Sequence, residues 1–289
     1  MVPPTVHVLH VLLVLAVGCY VAPVAAIPTL WPLPRAGSAA TMAAHAAVPT
    51  PQASQLPVWP LPREVSTGSA TASLDPAAFA LFAPPPAFSG ALAAAFQRFK
   101  QKAFPHPATP KQPSSSVADN ILAGLTVTIA DGAAELALGA NESYVLSVPT
   151  NGTATLAAVT LFGAYHGLET LSQLVGFDFT TERYSVGAHL PLHIKDEPSY
   201  SHRGLLLDTA RHFQPVPTLL RVIDSIAMAK LNVFHWHLSD DQSFPAASRT
   251  FPELAAKGAW SQTERYTWAG AIIYGFCVCF ATVLPLFDD

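Results

Sequence analysis

The protein has 289 residues, of which 51% are hydrophobic and 12% are charged, and its formal net charge is −4. This length fits one large domain or two medium ones, with enough apolar side chains for a packed core. Because no long run of lysine or arginine is present, nucleic acid is not an expected partner. The three cysteines, Cys19, Cys277 and Cys279, lie near the chain ends and predict neither a disulfide framework nor a zinc site.

An apolar run covers residues 8–17 and is followed by small residues. Val24 and Ala26 fit the two small-residue positions of a signal-peptidase site, so residues 1–26 are predicted to be a cleaved signal peptide. The run lacks a preceding lysine or arginine, and an uncleaved anchor is the alternative interpretation.

Two Asn-x-Ser/Thr sequons begin at Asn141 and Asn151, each in a polar turn where a glycan can be accommodated. Together with the N-terminal run, they predict a glycoprotein of the secretory pathway. Its expected destination is the lysosome, the vacuole or the extracellular space.

Residues 27–58 are rich in alanine, proline, serine and threonine and are predicted to be a flexible or extended linker. Residues 59–195 then alternate between helical and strand periodicity, which predicts a small α+β domain with helices laid on a sheet. Its predicted elements are helices at 91–104 and 164–175 and strands at 125–129, 144–148 and 190–194. Residues 153–160 are less regular and are expected to lead into the second helix.

The pattern changes in residues 196–267, where continuous apolar runs at 204–207 and 232–238 are typical of fully buried parallel strands. A helix is predicted between them at 215–230, started by prolines and with an apolar inner face. Strand, helix and strand form one βαβ unit. Such a unit needs more barrel or sheet around it to bury both of its faces.

Polar side chains follow both predicted strands. Asp208 and Arg211 come after the first, and Asp240 and Asp241 come after the second. In parallel α/β folds this end of the sheet forms the binding face. The alternative interpretation is structural, with Asp208 closing a turn and Arg211 in a simple ion pair.

The second strand carries His-Trp-His at residues 235–237, and alternation puts the two histidines on one face. No third metal ligand is near His235 and His237, so neither a metal nor another cofactor is predicted.

These segments resemble a known enzyme family. Residues 202–213, His-Arg-Gly-Leu-Leu-Leu-Asp-Thr-Ala-Arg-His-Phe, resemble the first barrel strand and loop of family 20 glycoside hydrolases, the β-N-acetylhexosaminidases. Residues 230–245 resemble that family's second strand and loop, and Phe-Pro-Glu-Leu at 251–254 continues the similarity. Trp-Pro-Leu-Pro at 59–62 and Gly-Leu-Glu-Thr-Leu-Ser-Gln-Leu at 167–174 resemble the N-terminal domain of the eukaryotic members.

The resemblance implies an α/β fold in which a small α+β N-terminal domain precedes the first βα units of an incomplete TIM (β/α)8 barrel. It implies hydrolysis of terminal non-reducing N-acetylhexosamine from glycoconjugates by a substrate-assisted retaining mechanism, without a cofactor. Arg211 would grip hydroxyls of the terminal sugar, and Asp240 would support the catalytic acid. Asp208, Asp241 and His237 would support the same site, and family members also form homodimers.

The sequence departs from the family because its catalytic Asp-Glu pair, within a His-x-Gly-Gly-Asp-Glu-like motif, does not occur. We therefore expect a barrel truncated near residue 267 and a chain that does not hydrolyse the substrate. The tail, residues 268–289, includes an uncharged stretch at 269–287. It is either a membrane-spanning helix or an aberrant terminus, and the second interpretation is favoured because the tail begins in mid-barrel. The alternative function is a non-catalytic interaction protein, anchored in a membrane if the tail is genuine.

Overall fold

The computed structural model describes residues 56–82, 89–108 and 120–267, together with the backbone of one strand, β1 (His10–Val14). Most of the predicted linker and the whole predicted tail, 268–289, lie outside the described residues. So do all three cysteines and the signal-peptidase site. Within the described residues, no helix is both long and apolar enough to cross a membrane.

The first unit is a mixed sheet covered by helices. Its strands are β2 (Glu64–Leu74), β3 (Ala80–Phe82), β4 (Ile121–Ile129), β5 (Tyr144–Val148), β6 (Gly152–Ala158), β7 (Val175–Asp178) and β8 (Arg183–Asp196). The strand order is β2-β4-β6-β5-β8-β7, with β3 on β4. Because β2 also pairs antiparallel along β8, the sheet curls back on itself.

Two helices, α1 (Ser89–Ala103) and α2 (Leu161–Leu174), pack on this sheet. The helix predicted at 91–104 is confirmed, and its Leu92, Phe96 and Phe99 are all buried in the core. Helix α2 approaches the sheet very closely at Gly163, where a Cβ atom would lie 2.4 Å from the carbonyl oxygen of Ser143. A side chain at this position would push the helix off the sheet.

The least hydrophobic strands were the hardest to predict. Residues 153–160 lead into helix α2 as expected, with Thr160 as its N-cap, but most of them belong to the strand β6, with alternate residues buried, which was not predicted. Strand β2 was not predicted at all, since it is built largely of serine, threonine, alanine and glycine. The predicted strand at 190–194 is the second half of the 14-residue β8.

The second unit contains β9 (Gly204–Asp208), α3 (Val216–Met228), β10 (Val233–His237) and the short α4 (Pro252–Gly258). Strands β9 and β10 are parallel neighbours, in register from Gly204 opposite Val233 to Asp208 opposite His237. The predicted βαβ unit is therefore present. Helix α3 buries its apolar face against it through Leu219, Ile223 and Ile226.

The prediction that β9 is fully buried was wrong. Leu205 is 41% exposed and Leu206 is 54% exposed. An apolar parallel strand becomes buried only when layers cover both of its faces, and the described residues supply only part of that cover. The second edge of β10 is occupied by β1, which runs antiparallel with His10 opposite His237. This strand comes from the run that was predicted to belong to a signal peptide.

A buried cluster of charged and polar groups joins the two units at the N-terminal ends of β9 and β10; we call it the seam cluster (Glu142, His166, Asp196, Arg203 and Lys230). The carboxylate of Glu142 accepts hydrogen bonds from Arg203 Nη2 and, at 3.2 Å, from the amide of Asn232. His166 Nε2 lies 2.9 Å from the same carboxylate. Arg203 also donates to the carbonyl of Lys230 at 2.9 Å, which ties β9 to the chain entering β10.

The other half of the seam cluster centres on Lys230, which is only 6% exposed. Its Nζ donates to Asp196 Oδ2 at 3.1 Å and to the hydroxyl of Tyr144 at 2.9 Å. Tyr144 in turn donates to Asp196 at 2.9 Å. Desolvation lowers the pKa of both Lys230 and His166, because burial disfavours the charged form of a base.

Candidate functional site

A second polar cluster lies at the opposite, C-terminal ends of the same two strands; we call it the strand-end cluster (Asp208, Arg211, His237 and Asp240). Asp208 ends β9, and His237 lies opposite it at the end of β10. Arg211 and Asp240 each follow three residues later in their loops. The parallel register therefore brings together side chains that are about 30 residues apart in the sequence.

Asp208 has two separate tasks, one for each carboxylate oxygen. Oδ1 accepts from the backbone nitrogens of Ala210 at 3.0 Å and Arg211 at 3.1 Å, which closes the turn after β9. Oδ2 accepts from Nε of Arg211. Desolvation alone would raise the pKa of Asp208, but the hydrogen bonds from Arg211 and Ala210 outweigh it and hold the pKa below its usual value. The turn-closing geometry offered as the structural interpretation is thus present alongside the contact to the guanidinium.

Arg211 is held between two carboxylates. Its Nη1 donates to Asp240 Oδ2 at 2.8 Å, while Nε is bound by Asp208, and the hydrogen bond to Asp208 raises the pKa of the guanidinium. The side chain is nevertheless 47% exposed. No acceptor among the described residues contacts Nη2, so part of the rigid donor fork remains available to a ligand.

Asp240 connects the two loops. Its Oδ2 accepts from Arg211 and lies 2.8 Å from Nε2 of His237, and its Oδ1 accepts from the backbone nitrogen of Asp241 at 2.7 Å. Hydrogen bonding to the side chain of Asp241, and then to His237, holds the pKa of Asp240 far below its usual value. The same contact with Asp240 raises the pKa of Asp241. As the pH falls, protonation of Asp241 is therefore favoured over protonation of Asp240.

An aromatic layer lies beneath the strand-end cluster. The indole of Trp236 donates to Thr209 Oγ1 at 2.7 Å, and the hydroxyl of Tyr266 donates to the carbonyl of Gln214 at 2.6 Å. Tyr266 stacks on Phe213 with ring centroids 4.7 Å apart and meets Trp236 edge-on at 4.9 Å. These contacts fix the loop after β9, and sequence reasoning missed Thr209 and Tyr266 because no local pattern links residues so far apart.

Trp260, which sequence reasoning also did not single out, lies at the edge of this site. Its indole nitrogen donates to the carbonyl of Ala210 at 3.0 Å, in the turn between Asp208 and Arg211. The side chain is nevertheless 56% exposed, whereas Trp236 is buried.

The structure brings all five predicted support and binding residues into one network, in which Asp241 is bonded to Asp240 and lies exposed at the rim. The predicted glycosylation sites lie in the first unit, with both asparagines exposed. Asn141 Oδ1 accepts from its own sequon's Ser143, and Asn151 Oδ1 accepts from the backbone of Ile121. Among the described residues, no group of three or more histidine, cysteine, aspartate or glutamate side chains is arranged to hold a metal ion.

Two family models match the chain. The model described as glycosyl hydrolase family 20, catalytic domain, matches residues 200–275. The model described as beta-acetyl hexosaminidase like matches residues 58–174. The first match continues past residue 267, where the sequence similarity was expected to end.

Individual relatives of the chain are β-hexosaminidases. Beta-hexosaminidase 1 of Arabidopsis thaliana is 38% identical over 215 residues, which cover 71% of this chain and 39% of that protein. The human beta-hexosaminidase subunit beta is 46% identical over 130 residues, which cover 45% of this chain and 22% of that protein. The chain therefore spans about two fifths, or less, of the length of these relatives.

Solved structures agree in fold. A chitobiase of Flavobacterium johnsoniae is 29% identical with a TM-score of 0.57, covering 75% of this chain and 32% of that one. A Vibrio harveyi exo-β-N-acetylglucosaminidase, solved in complex with N-acetylglucosamine, is 26% identical with a TM-score of 0.52, covering 71% of this chain and 29% of that one.

The βαβ unit, with its arginine and carboxylates at the C-terminal strand ends, lies within the part of the chain that matches the family 20 catalytic-domain model. The chain belongs to glycoside hydrolase family 20, the family of the β-hexosaminidases. The fold class predicted from the sequence is confirmed: an α+β N-terminal unit precedes the opening βα elements of a TIM-type barrel.

Proposed function

We propose that the strand-end cluster binds the terminal non-reducing N-acetylhexosamine of a glycoconjugate, with Arg211 as the main contact to the sugar hydroxyls. This proposal rests on one observation, namely that the guanidinium of Arg211 is held in place while one of its donor groups stays accessible. Two carboxylates fix its guanidinium, yet Nη2 has no acceptor among the described residues and half of the side chain is exposed. The N-acetylglucosamine in the similar Vibrio harveyi structure supports this class of ligand.

The chemistry of the guanidinium suits this role. Its donors lie in one plane at fixed angles, so two of them can meet neighbouring hydroxyl oxygens of a pyranose ring. Asp208 and Asp240 hold the group in place before the ligand arrives, which lowers the entropy lost on binding. A lysine would keep the charge but lose this geometry.

We further propose that the family reaction is not completed by the residues of this chain. In the family's substrate-assisted mechanism, the acetamido oxygen attacks the anomeric carbon while a glutamate protonates the leaving oxygen. The sequence contains one Asp-Glu dipeptide, Asp196–Glu197, and it lies at the other end of β9. Asp196 is bound by Lys230, and Glu197 lies 2.6 Å from Arg63, so neither is positioned for this reaction.

Calorimetric titration with N-acetylglucosamine tests the binding proposal. We expect the unmodified chain to bind and Arg211→Lys to weaken binding by about tenfold to a hundredfold, the range for losing a charged hydrogen bond. Arg221→Lys, at an exposed position of α3, is the matched control and should leave the affinity unchanged. Absence of binding by the unmodified chain would refute the proposal.

Release of 4-nitrophenol from 4-nitrophenyl N-acetyl-β-glucosaminide tests the second proposal. We expect no turnover above the uncatalysed background. Turnover comparable to that of a full-length family member would mean that this chain supplies its own catalytic acid.

A non-catalytic interaction role is the second candidate function, and the exposed apolar side chains of β9 favour it. Leu205 and Leu206 project from opposite faces of β9, and each is an exposed apolar side chain that a partner chain, including a second copy, could cover. Sedimentation of the purified chain tests this role, and a monomer at all concentrations would argue against self-association. Membrane attachment would depend on residues 269–287, and release of the tagged chain by alkaline carbonate would rule out an anchor.

We propose the secretory pathway as the route of this protein, with lysosome, vacuole or extracellular space as its destination. The exposed sequons at Asn141 and Asn151 support this proposal. Digestion with an N-glycosidase should increase the mobility of the secreted chain. A chain with Asn141→Gln and Asn151→Gln should show no such change.

A further inference from the structure

Trp260 has an unusual combination of restraint and exposure. Its indole nitrogen is bound to the carbonyl of Ala210 at 3.0 Å, so the ring is attached to the turn that carries Arg211. Yet the side chain remains 56% exposed. A free energy of about 2 kcal/mol or more is gained when a large aromatic side chain is buried, so an exposed but fixed indole is a ready binding surface.

The neighbourhood of this indole is amphipathic. On one side of Ala210 lies Asp208, and on the other lies Arg211 with its free donors. A pyranose ring has the complementary character, since its hydroxyls are polar while its axial C–H groups form an apolar face. The electron-rich face of an indole attracts such C–H groups, and ligand pockets commonly combine an aromatic wall with a few polar groups.

We propose that Trp260 is a specificity-determining residue that packs against the C–H face of a sugar ring while Arg211 holds the hydroxyls. This inference rests on the proposed function of the strand-end cluster and adds a second contact to it. The ring that Trp260 contacts belongs either to the terminal sugar or to the next sugar along the glycan. The chemistry is the same in both cases.

A purely structural role for Trp260 makes a different prediction. If the indole only holds the loop after α4 in place, sugar binding should depend on the hydrogen bond of its N–H group and not on its aromatic face. Trp260→Phe keeps an aromatic face but loses the N–H group, whereas Trp260→Leu keeps an apolar side chain but loses the face. The two variants therefore distinguish a sugar contact made by the aromatic face from a structural role of the N–H hydrogen bond.

Calorimetric titration of the full chain with N-acetylglucosamine and with N,N′-diacetylchitobiose provides the test. We expect Trp260→Leu to raise the Kd by about tenfold and Trp260→Phe to raise it by no more than about threefold. Weaker binding of both sugars assigns Trp260 to the terminal sugar, and weaker binding of the disaccharide alone assigns it to the next one. Both results support the inference, and melting temperatures check that each variant folds.

Two results would overturn the inference while leaving the proposed function intact. In the first, Arg211→Lys weakens binding but Trp260→Leu does not. In the second, Trp260→Phe loses as much affinity as Trp260→Leu, which would assign the effect to the N–H group. If the unmodified chain binds neither sugar, the proposed function itself is wrong, and the inference falls with it.

Discussion

The two ends of β9 and β10 carry clusters of the same residue types with opposite properties. At the N-terminal ends, the seam cluster is buried, and its Lys230 is only 6% exposed. At the C-terminal ends, the strand-end cluster is accessible, and its Arg211 side chain is 47% exposed. Histidine, carboxylate and cation occur in both. The type of residue therefore does not separate a structural cluster from a binding site, whereas exposure and unused donors do.

The largest expected effect on the free energy of unfolding comes from removing a buried charge of the seam cluster. Glu142→Ala leaves the charge of Arg203 buried without its carboxylate, which should lower the free energy of unfolding by about 3–5 kcal/mol. Urea denaturation followed by circular dichroism measures this change. Glu253→Ala is the matched control, because Glu253 forms an exposed ion pair with Lys257 and should cost less than about 0.5 kcal/mol. Similar losses for the two variants would contradict the assignment of Glu142 to a buried, structural cluster.

Replacing one arginine in each cluster by lysine tests the difference between the seam cluster and the strand-end cluster directly. Arg203 donates to the carbonyls of Tyr200 and Lys230 as well as to Glu142, so Arg203→Lys should cost about 1.5–3 kcal/mol of stability. Arg211→Lys should change stability by less than about 0.5 kcal/mol, because its guanidinium is half exposed, and should instead weaken sugar binding. Thermal unfolding and calorimetric titration of both variants give the two readouts. A larger stability loss at Arg211 than at Arg203 would contradict the assignment.

The smallest expected effect is a pH dependence that comes from the seam cluster. Burial lowers the pKa of His166 below its ordinary value of 6.5, so between these two values the unfolded chain binds more protons. The free energy of unfolding should therefore fall as the pH drops below about 6.5, by at most about 1.4 kcal/mol per pH unit. Urea denaturation at a series of pH values measures this slope.

His166→Gln should remove that slope between pH 6.5 and pH 4.5. In the unmodified chain a further loss should follow below 4.5, because the interactions with His166 and Arg203 outweigh desolvation and lower the pKa of Glu142. The protonation of Glu142 then removes its contribution as the pH falls through that lowered value. His202→Gln, at an exposed position, is the control. An unchanged slope in His166→Gln would assign the effect to other groups.

The sequence was most informative where hydrophobic runs and polar strand ends coincide. The apolar runs that became β9 and β10 predicted parallel strands, and the polar residues after them predicted the strand-end cluster. The seam cluster could not be predicted in this way, because Glu142 and Asn232 are 90 residues apart and no local pattern links them. Strands β2 and β6 escaped prediction because small side chains give little contrast between their two faces.

The carboxylate of Asp208 has a consequence for how this site can evolve. One oxygen shapes the backbone of the loop and the other orients the guanidinium, so loop conformation and ligand recognition share a single side chain. Asparagine would keep an acceptor for the turn but set an amide donor against the guanidinium, and glutamate would be too long for the turn. A mutation at this codon therefore changes both properties at once, which makes the position resistant to gradual change.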